Sequence, residues 1–516
     1  MANTEKKEIL LRITNLKQHF PIKKGRVVKA NDGITLDIYK GETFGLVGES
    51  GCGKSTLGRS ILQLYKQTDG RTMYFGRSID ELAPKYAYDT FRTLGKRRED
   101  MKAKREKYDA FRAEYDKLDE ASRYEKYAEM DLLRKEAKDA VLDVTTLIGG
   151  LIVYPDLSVV EKAFIEQYKI SKELSVATEK RADVKLTVDD LTYALAEANK
   201  ENKPADKLVK KLASAQAKLD AIDDQIKSIS GRLAEQGKEI AALRQACADM
   251  EGYDTYEADH SEGIDLARLN YDEMRRLRSD LQLIFQDPYS SLNARMTVGQ
   301  IIGEGMIAHK FYRKNDKRMQ EGVISVMEEC GLAPYFLHRY PHQFSGGQRQ
   351  RIGIARSLAL RPKFVVCDEA VSALDVSIQA QIINLLQDLK EKQDLTYLFI
   401  THDLSVVKYI SDRIGVMYLG NMVEIAPSDD IFAHPLHPYT EALLNAIPTT
   451  DENVNKKPEI LEGDIPSPVN PPKGCKFHTR CKYCTEVCTH VQPELQEVRP
   501  NHFVACHHIL EQPEEA

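Results

Sequence analysis

Residues 48–56 read Gly48-Glu49-Ser50-Gly51-Cys52-Gly53-Lys54-Ser55-Thr56, the spacing G-x-x-x-x-G-K-S of a phosphate-binding loop. The residue types dictate the chemistry. Glycines let the backbone curl until several N–H groups point at phosphate oxygens. A helix starting near Lys54 adds partial positive charge at its N-terminus. In such a loop the lysine, Lys54, reaches the β- and γ-phosphates and the serine, Ser55, ligates Mg²⁺. The apolar run before it is the strand that must present it. A second apolar run, Val365-Val366-Cys367-Asp368-Glu369, ends in two carboxylates. Beside a phosphate loop, Asp368 suits Mg²⁺ and Glu369 suits polarising an attacking water. Upstream, Ser345-Gly346-Gly347-Gln348 opens a helix and offers a second nest of N–H groups to an anion.

These motifs stand in a fixed order. Gln286 lies in Leu283-Ile284-Phe285-Gln286-Asp287-Pro288, Ser372-Ala373-Leu374-Asp375 follows the acidic pair, and His402 lies in Phe399-Ile400-Thr401-His402-Asp403. The set resembles the ATP-binding-cassette (ABC) ATPases: phosphate loop, glutamine loop, signature, acidic strand, D-loop, switch histidine. That resemblance implies an α/β P-loop cassette, a RecA-like core with antiparallel β and helical subdomains. It implies that Gln286 touches Mg²⁺ and the attacking water, and that His402 contacts the γ-phosphate. Phe20, in Lys17-Gln18-His19-Phe20-Pro21, stands where the family stacks an aromatic on adenine; a core phenylalanine is the other reading. In this family the signature of one cassette completes the phosphate site of another. A chain with one of each needs a second cassette, and nucleotide state then shifts the open and closed populations.

Asn31-Asp32-Gly33-Ile34-Thr35-Leu36, Ile284-Phe285-Gln286-Asp287-Pro288-Tyr289 and His434-Pro435-Leu436-His437-Pro438-Tyr439 narrow the resemblance. They look like the ATPases of oligopeptide/dipeptide importers, within them the F-type subunit. What this implies is ATP hydrolysis that powers peptide uptake from the cytoplasmic face of the membrane. The implied partners are a D-type ATPase, two membrane permease subunits and an extracytoplasmic substrate-binding protein, with no nucleic acid. Related systems import nickel or other small solutes. Ala294 and Ala370 stand where the family has proline, which frees backbone but removes no catalytic group. An ABC ATPase of DNA maintenance is the alternative from another class. There a long insertion follows the glutamine loop; here it precedes Gln286.

Five of the nine cysteines crowd the end of the chain, as Cys475-x₅-Cys481-x₂-Cys484-x₃-Cys488-x₁₇-Cys506. Proline, glycine and charge surround them, leaving little apolar core, so a bound metal could supply stability. All-thiolate ligation fits either an iron–sulfur cluster or zinc. The importer resemblance implies a [4Fe–4S] cluster on Cys475, Cys481, Cys488 and Cys506, with Cys484 a competing ligand.

The elements that position these residues divide the chain as 1–77, 78–262, 263–445 and 446–516. The family pattern stops near Phe75 and resumes near Gly263, so about 185 residues rich in Ala, Glu, Asp, Lys and Leu form an insertion. Leu208, Leu212, Ala215, Leu219, Ile222, Ile226, Ile229 and Leu233 alternate in steps of four and three. This is a heptad seam on a helix of about 36 residues, ~54 Å long. Val184, Val188, Leu191, Leu195 and Ala198 form a second seam. A third begins at Tyr108, Phe111, Tyr115 and Leu118 and continues through Leu133, Ala137, Val141 and Val144. Antiparallel helices burying these coiled-coil-like seams are the simplest packing; a tolerated surface growth and a docking arm for a partner protein are the two readings. Formal net charge is -6, which argues against a chain-wide basic surface for nucleic acid. No uncharged apolar run reaches the roughly 18 residues of a membrane span. The first residues lack the apolar core of a signal peptide, so the chain is expected in the cytosol.

Overall fold

In the computed structural model, residues 7–314, 316–446, 461 and 463–510 are described. The first residues of the expected tail, 447–460, lie outside them. Among the described residues, twelve strands run in the order β1 (Ile9–Pro21), β2 (Val27–Tyr39), β3 (Thr43–Val47), β4 (Asp69–Tyr74), β5 (Ile264–Asp265), β6 (Leu281–Ile284), β7 (Phe364–Asp368), β8 (Thr396–Ile400), β9 (Arg413–Tyr418), β10 (Asn421–Pro427), β11 (Gln496–Arg499) and β12 (His502–Val504). One sheet is antiparallel, ordered β2-β1-β4-β5. The other runs β11-β12-β10-β9-β3-β8-β7-β6.

The central strands β9, β3, β8, β7 and β6 pair in parallel. Every residue of β3, β7, β8 and β9 is buried, which is why their sequences read as continuous apolar runs rather than alternating ones. The motifs read from the sequence follow the carboxyl ends of four neighbours: β3 leads to Gly48, β8 to His402, β7 to Glu369 and β6 to Gln286. An open parallel sheet binds its ligand at that edge. The principal helices are α1 (Lys54–Ile61), α2 (Leu94–Tyr115), α3 (Glu120–Ile148), α4 (Leu157–Lys200), α5 (Asp206–Cys247) and α6 (Gly346–Leu358). Helix α6 packs with Val298–Ala308 and Lys317–Glu329 through Ile301, Ile302, Met306, Val323, Met327 and Ile352.

Helices α2 to α5 leave and rejoin the cassette at one point. Tyr74 of β4 pairs with Ile264 of β5, and the Ile79 N–H donates to the Glu262 carbonyl at 3.2 Å. Helices α4 and α5 lie antiparallel, as the seams require. Ile170 and Ala177 meet Ile229, and Val188 meets Ala215 and Leu219. The third seam departs from expectation. It is not one helix: the chain turns at 116–119, and α3 folds back so that Tyr108 packs on Leu133 and Ala137. Heptad spacing on both sides of a short polar stretch does not reveal whether the helix runs through it.

The tail also differs from expectation. It is not a separate unit lacking apolar contacts. Its strand β12 pairs with β10 and extends the main sheet. Phe477, 2% exposed, joins the core cluster of Tyr418, Tyr439 and Val416.

Candidate functional site

Three glycines of the phosphate loop have positive φ, and two admit nothing larger. A Cβ on Gly53 would lie 2.1 Å from the Ala30 carbonyl oxygen, and one on Gly48 equally close to that of Met417. The loop therefore closes against β2 and β9 before it turns into α1. Lys54 is buried, and its ammonium donates to the Gly48 and Glu49 carbonyls at 2.8 and 2.9 Å. Burial pushes the Cys52 thiol up in spite of the nearby Lys54 charge, so this cysteine is packing rather than a nucleophile.

A cavity of about 700 Å³ opens over the loop. Ser50, Gly51, Cys52, Gly53, Lys54, Ser55 and Thr56 form its floor, and Phe20, Gln286, Glu369 and His402 its walls. Behind the floor the Ser55 hydroxyl donates to the fully buried Asp368 at 2.5 Å. Oxygens of both residue types suit Mg²⁺. Glu369 has φ 48°, the left-handed region that a non-glycine residue adopts at a cost. This sharp turn after β7 aims its carboxylate back over the loop. Gln286 Nε2 donates to Glu369 Oε2 at 2.6 Å, and His402 Nδ1 lies 3.5 Å from Oε1. Three residues far apart in sequence thus converge at the wall of the cavity over the loop.

The remaining predicted residues do not line the cavity. Gly48 and Glu49 sit at the root of the loop, with the Glu49 side chain turned outward. Ser345, Gly346, Gly347 and Gln348 open α6 with a reciprocal cap between Ser345 and Gln348. Asp375 caps the helix Val376–Gln393. Neither group is among the lining residues, so the chain holds a phosphate cradle and a signature at separate places.

The sequence reading missed several contributors. Arg59 donates to Asp368 at 3.1 Å; it lies four residues after Ser55, on the same face of α1, which is the signal that was available. Lys29, Leu419, Gly420 and Pro468 also line the cavity. Leu419, Gly420 and Pro468 come from segments without a motif, and pairing alone brings them there.

In the tail, Cys475, Cys481, Cys488 and Cys506 line one small cavity with His437 and His478, and the Cys475 N–H donates to the Cys488 carbonyl. Burial pushes the Cys475 thiol up to about 12 and that of Cys506 to about 11. Cys484 is exposed and outside this lining. Among the described residues, no group of three or more His, Cys, Asp or Glu side chains gathers on a point that a single metal ion could hold.

The sequence matches the ABC transporter family over residues 31–243 and 249–372, and the oligopeptide/dipeptide transporter C-terminal region over 423–488. It is 35% identical over 500 residues to the putative oligopeptide transport ATP-binding protein YkfD of Bacillus subtilis, covering 96% of this chain and 95% of that one. It is 52% identical over 248 residues to the oligopeptide transport ATP-binding protein AppF of Bacillus subtilis, covering 48% of this chain and 75% of AppF. Over 247 residues it is 52% identical to OppF of Salmonella typhimurium, an oligopeptide transport ATP-binding protein, covering 47% and 73%. A complete phosphate loop, a carboxylate over it and matches along both halves lead to one assignment: the chain belongs to the ABC transporter family, among its oligopeptide/dipeptide transport ATP-binding proteins.

Proposed function

We propose that this chain is the ATP-hydrolysing subunit of a peptide importer. The observation that carries the reading is the convergence of Gln286, Glu369 and His402 over the loop that holds Lys54 and Ser55. Lys54 and the loop N–H groups bind the phosphates, and Ser55 and Asp368 would hold Mg²⁺, which would neutralise phosphate charge. The Glu369 carboxylate accepts a proton from the attacking water, and Gln286 and His402 orient it. Phe20 at the cavity wall stacks on the base. The names of the relatives support oligopeptides as cargo over nickel or other solutes.

The separation of cradle from signature supports a dimer with a second cassette, a D-type subunit. In it, residues 345–348 and Asp375 complete the partner's site. Two permease subunits supply the membrane path, fed by a substrate-binding protein, as the relatives' description as transport ATP-binding proteins supports. The chain then works at the cytoplasmic face. Four thiols lining one cavity, with Cys484 outside, support an all-thiolate metal centre, a [4Fe–4S] cluster or zinc. Such a cluster would cross-link the tail; iron and sulfide after anaerobic purification test it. Helices α2 to α5 act as an inserted arm that leaves the motor's chemistry untouched.

Glu369→Gln keeps size and hydrogen bonding but loses the charge that polarises water. It should retain ATP binding, lose turnover, and give an ATP-stabilised dimer with the partner. Near-normal ATPase in the assembled complex, with the partner's site silenced, would refute the assignment.

A further inference from the structure

A side chain of the tail reaches the phosphate loop. Arg480 Nη1 donates to Glu49 Oε2 at 2.8 Å and Nη2 to Oε1 at 3.1 Å. Two parallel bonds from a guanidinium fork to a carboxylate fix direction as well as charge. The Arg480 side chain is 5% exposed and that of Glu49 23%, so solvent screens the pair weakly. Tyrosines extend the contact. Arg480 Nη1 also donates to the Tyr418 hydroxyl at 3.5 Å, and the Glu49 N–H donates to the Tyr439 hydroxyl at 3.0 Å. Glu49 is thus held at its backbone and at its carboxylate by residues outside the loop. From inside, the Lys54 ammonium holds the Glu49 carbonyl.

This arrangement answers an electrostatic problem. A carboxylate at the second position of an anion-binding loop opposes the loop's own chemistry. Its side chain does not line the cavity; Arg480 turns it outward and balances its charge. Arg480 is placed in turn by a short turn, His478–Arg480, between Cys475 and Cys481. Its N–H donates to the Phe477 carbonyl at 3.0 Å, and the Phe477 ring packs on Tyr418 and Tyr439 at 5.3 Å from each.

We infer that Arg480 is a positioning residue of the nucleotide site: from the tail it sets the shape and charge of the phosphate loop, so nucleotide affinity depends on a docked tail. The inference rests on the nucleotide site proposed above. Lys54→Ala tests that reading separately, because it should abolish binding whatever Arg480 does.

The test uses the full chain with a fluorescent ATP analogue and Mg²⁺, and the assembled complex for turnover. Arg480→Gln should weaken binding about tenfold, the weight of one hydrogen bond to a charged, partly buried group. It should raise KM for ATP while kcat stays within about twofold. Adding Glu49→Gln should restore much of the affinity, because the unpaired carboxylate is gone. Arg480→Lys, which keeps charge but not the fork, should fall between. A merely structural role would lower Tm and leave KM unmoved. Wild-type affinity in folded Arg480→Gln or Arg480→Lys would overturn the inference. So would a double variant whose loss is the sum of the two single losses.

Discussion

Asp368 shows how one side chain serves two demands. It is fully buried, and it accepts from Ser55 on one oxygen and from Arg59 on the other. Arg59 balances the charge that burial would otherwise penalise, and on the proposed reading the oxygen that faces Ser55 would hold Mg²⁺. The metal requirement of binding should therefore pass through this residue. Wild-type protein should bind ATP more tightly with Mg²⁺ than with a chelator. In Asp368→Asn that difference should shrink to about twofold or less, and hydrolysis should fall about a hundredfold or more. Titrations with and without chelator measure the first, steady-state turnover the second. A difference as large as wild type would move Mg²⁺ to other ligands.

At the scale of elements, the α4/α5 hairpin is a strut. Near its base Asp80 accepts from the Ser171 hydroxyl at 2.7 Å and from Gln167. Burial raises the Asp80 carboxyl above the ordinary range, more than these bonds lower it. The sign follows. A carboxyl whose folded value is raised favours the fold when protonated, and that stability is lost as pH rises through the folded value. Asp80→Asn keeps an acceptor for Ser171 without the charge. It should melt higher than wild type at pH 7, with the advantage closing toward pH 4 in thermal scans. Farther along, Asp183 pairs with Lys310 at 2.9 Å, Asp190 with Arg313 at 3.0 Å and with Arg318, and Tyr193 donates to Glu321. These contacts tie the hairpin to the helical subdomain. The Asp183–Lys310 pair is exposed and contributes roughly 0–1 kcal/mol, and burial of Asp190 offsets what Arg318 gives it. Asp183→Asn with Asp190→Asn should shift Tm little, yet speed hydrogen exchange in Lys317–Glu329. Unchanged exchange would show that the strut bears nothing.

At the scale of the molecule, the helical arm carries its own core. Phe91, Val144, Leu151, Val160, Phe164, Ile240 and Tyr253 form one buried cluster, in which only a partly buried Leu269 comes from outside the arm. The isolated fragment 78–262 should therefore be strongly helical by circular dichroism and unfold cooperatively. Removing it should preserve ATP hydrolysis with the partner cassette, because none of its residues lines the nucleotide cavity. It should also lower Tm, because α3 supports the rest of the chain. Arg71 of β4 pairs with Asp139 and Asp143, and Tyr124 stacks on His490 at 4.8 Å. A disordered fragment would remove the claim of autonomy. A folded, ATP-binding but hydrolysis-dead cassette would make the arm part of the motor.

The sequence by itself picked out the phosphate loop, the acidic pair, Gln286 and His402, of which Gln286, Glu369 and His402 line one cavity with the loop. Each is a local pattern whose residue types are dictated by the ligand. It also determined the α4/α5 pairing, because a heptad seam specifies both a helix and a buried face. Tertiary structure alone decided the rest. The break at 116–119 depends on α3 finding a better surface on α2 than in continuing it. The convergence of Gln286, Glu369 and His402 depends on β6, β7 and β8 being neighbours. The grip of Arg480 on Glu49 spans 431 residues and carries no local signature. Such contacts arise where separate elements are brought together by burial of their apolar faces, and spacing along the chain does not encode which polar groups then meet.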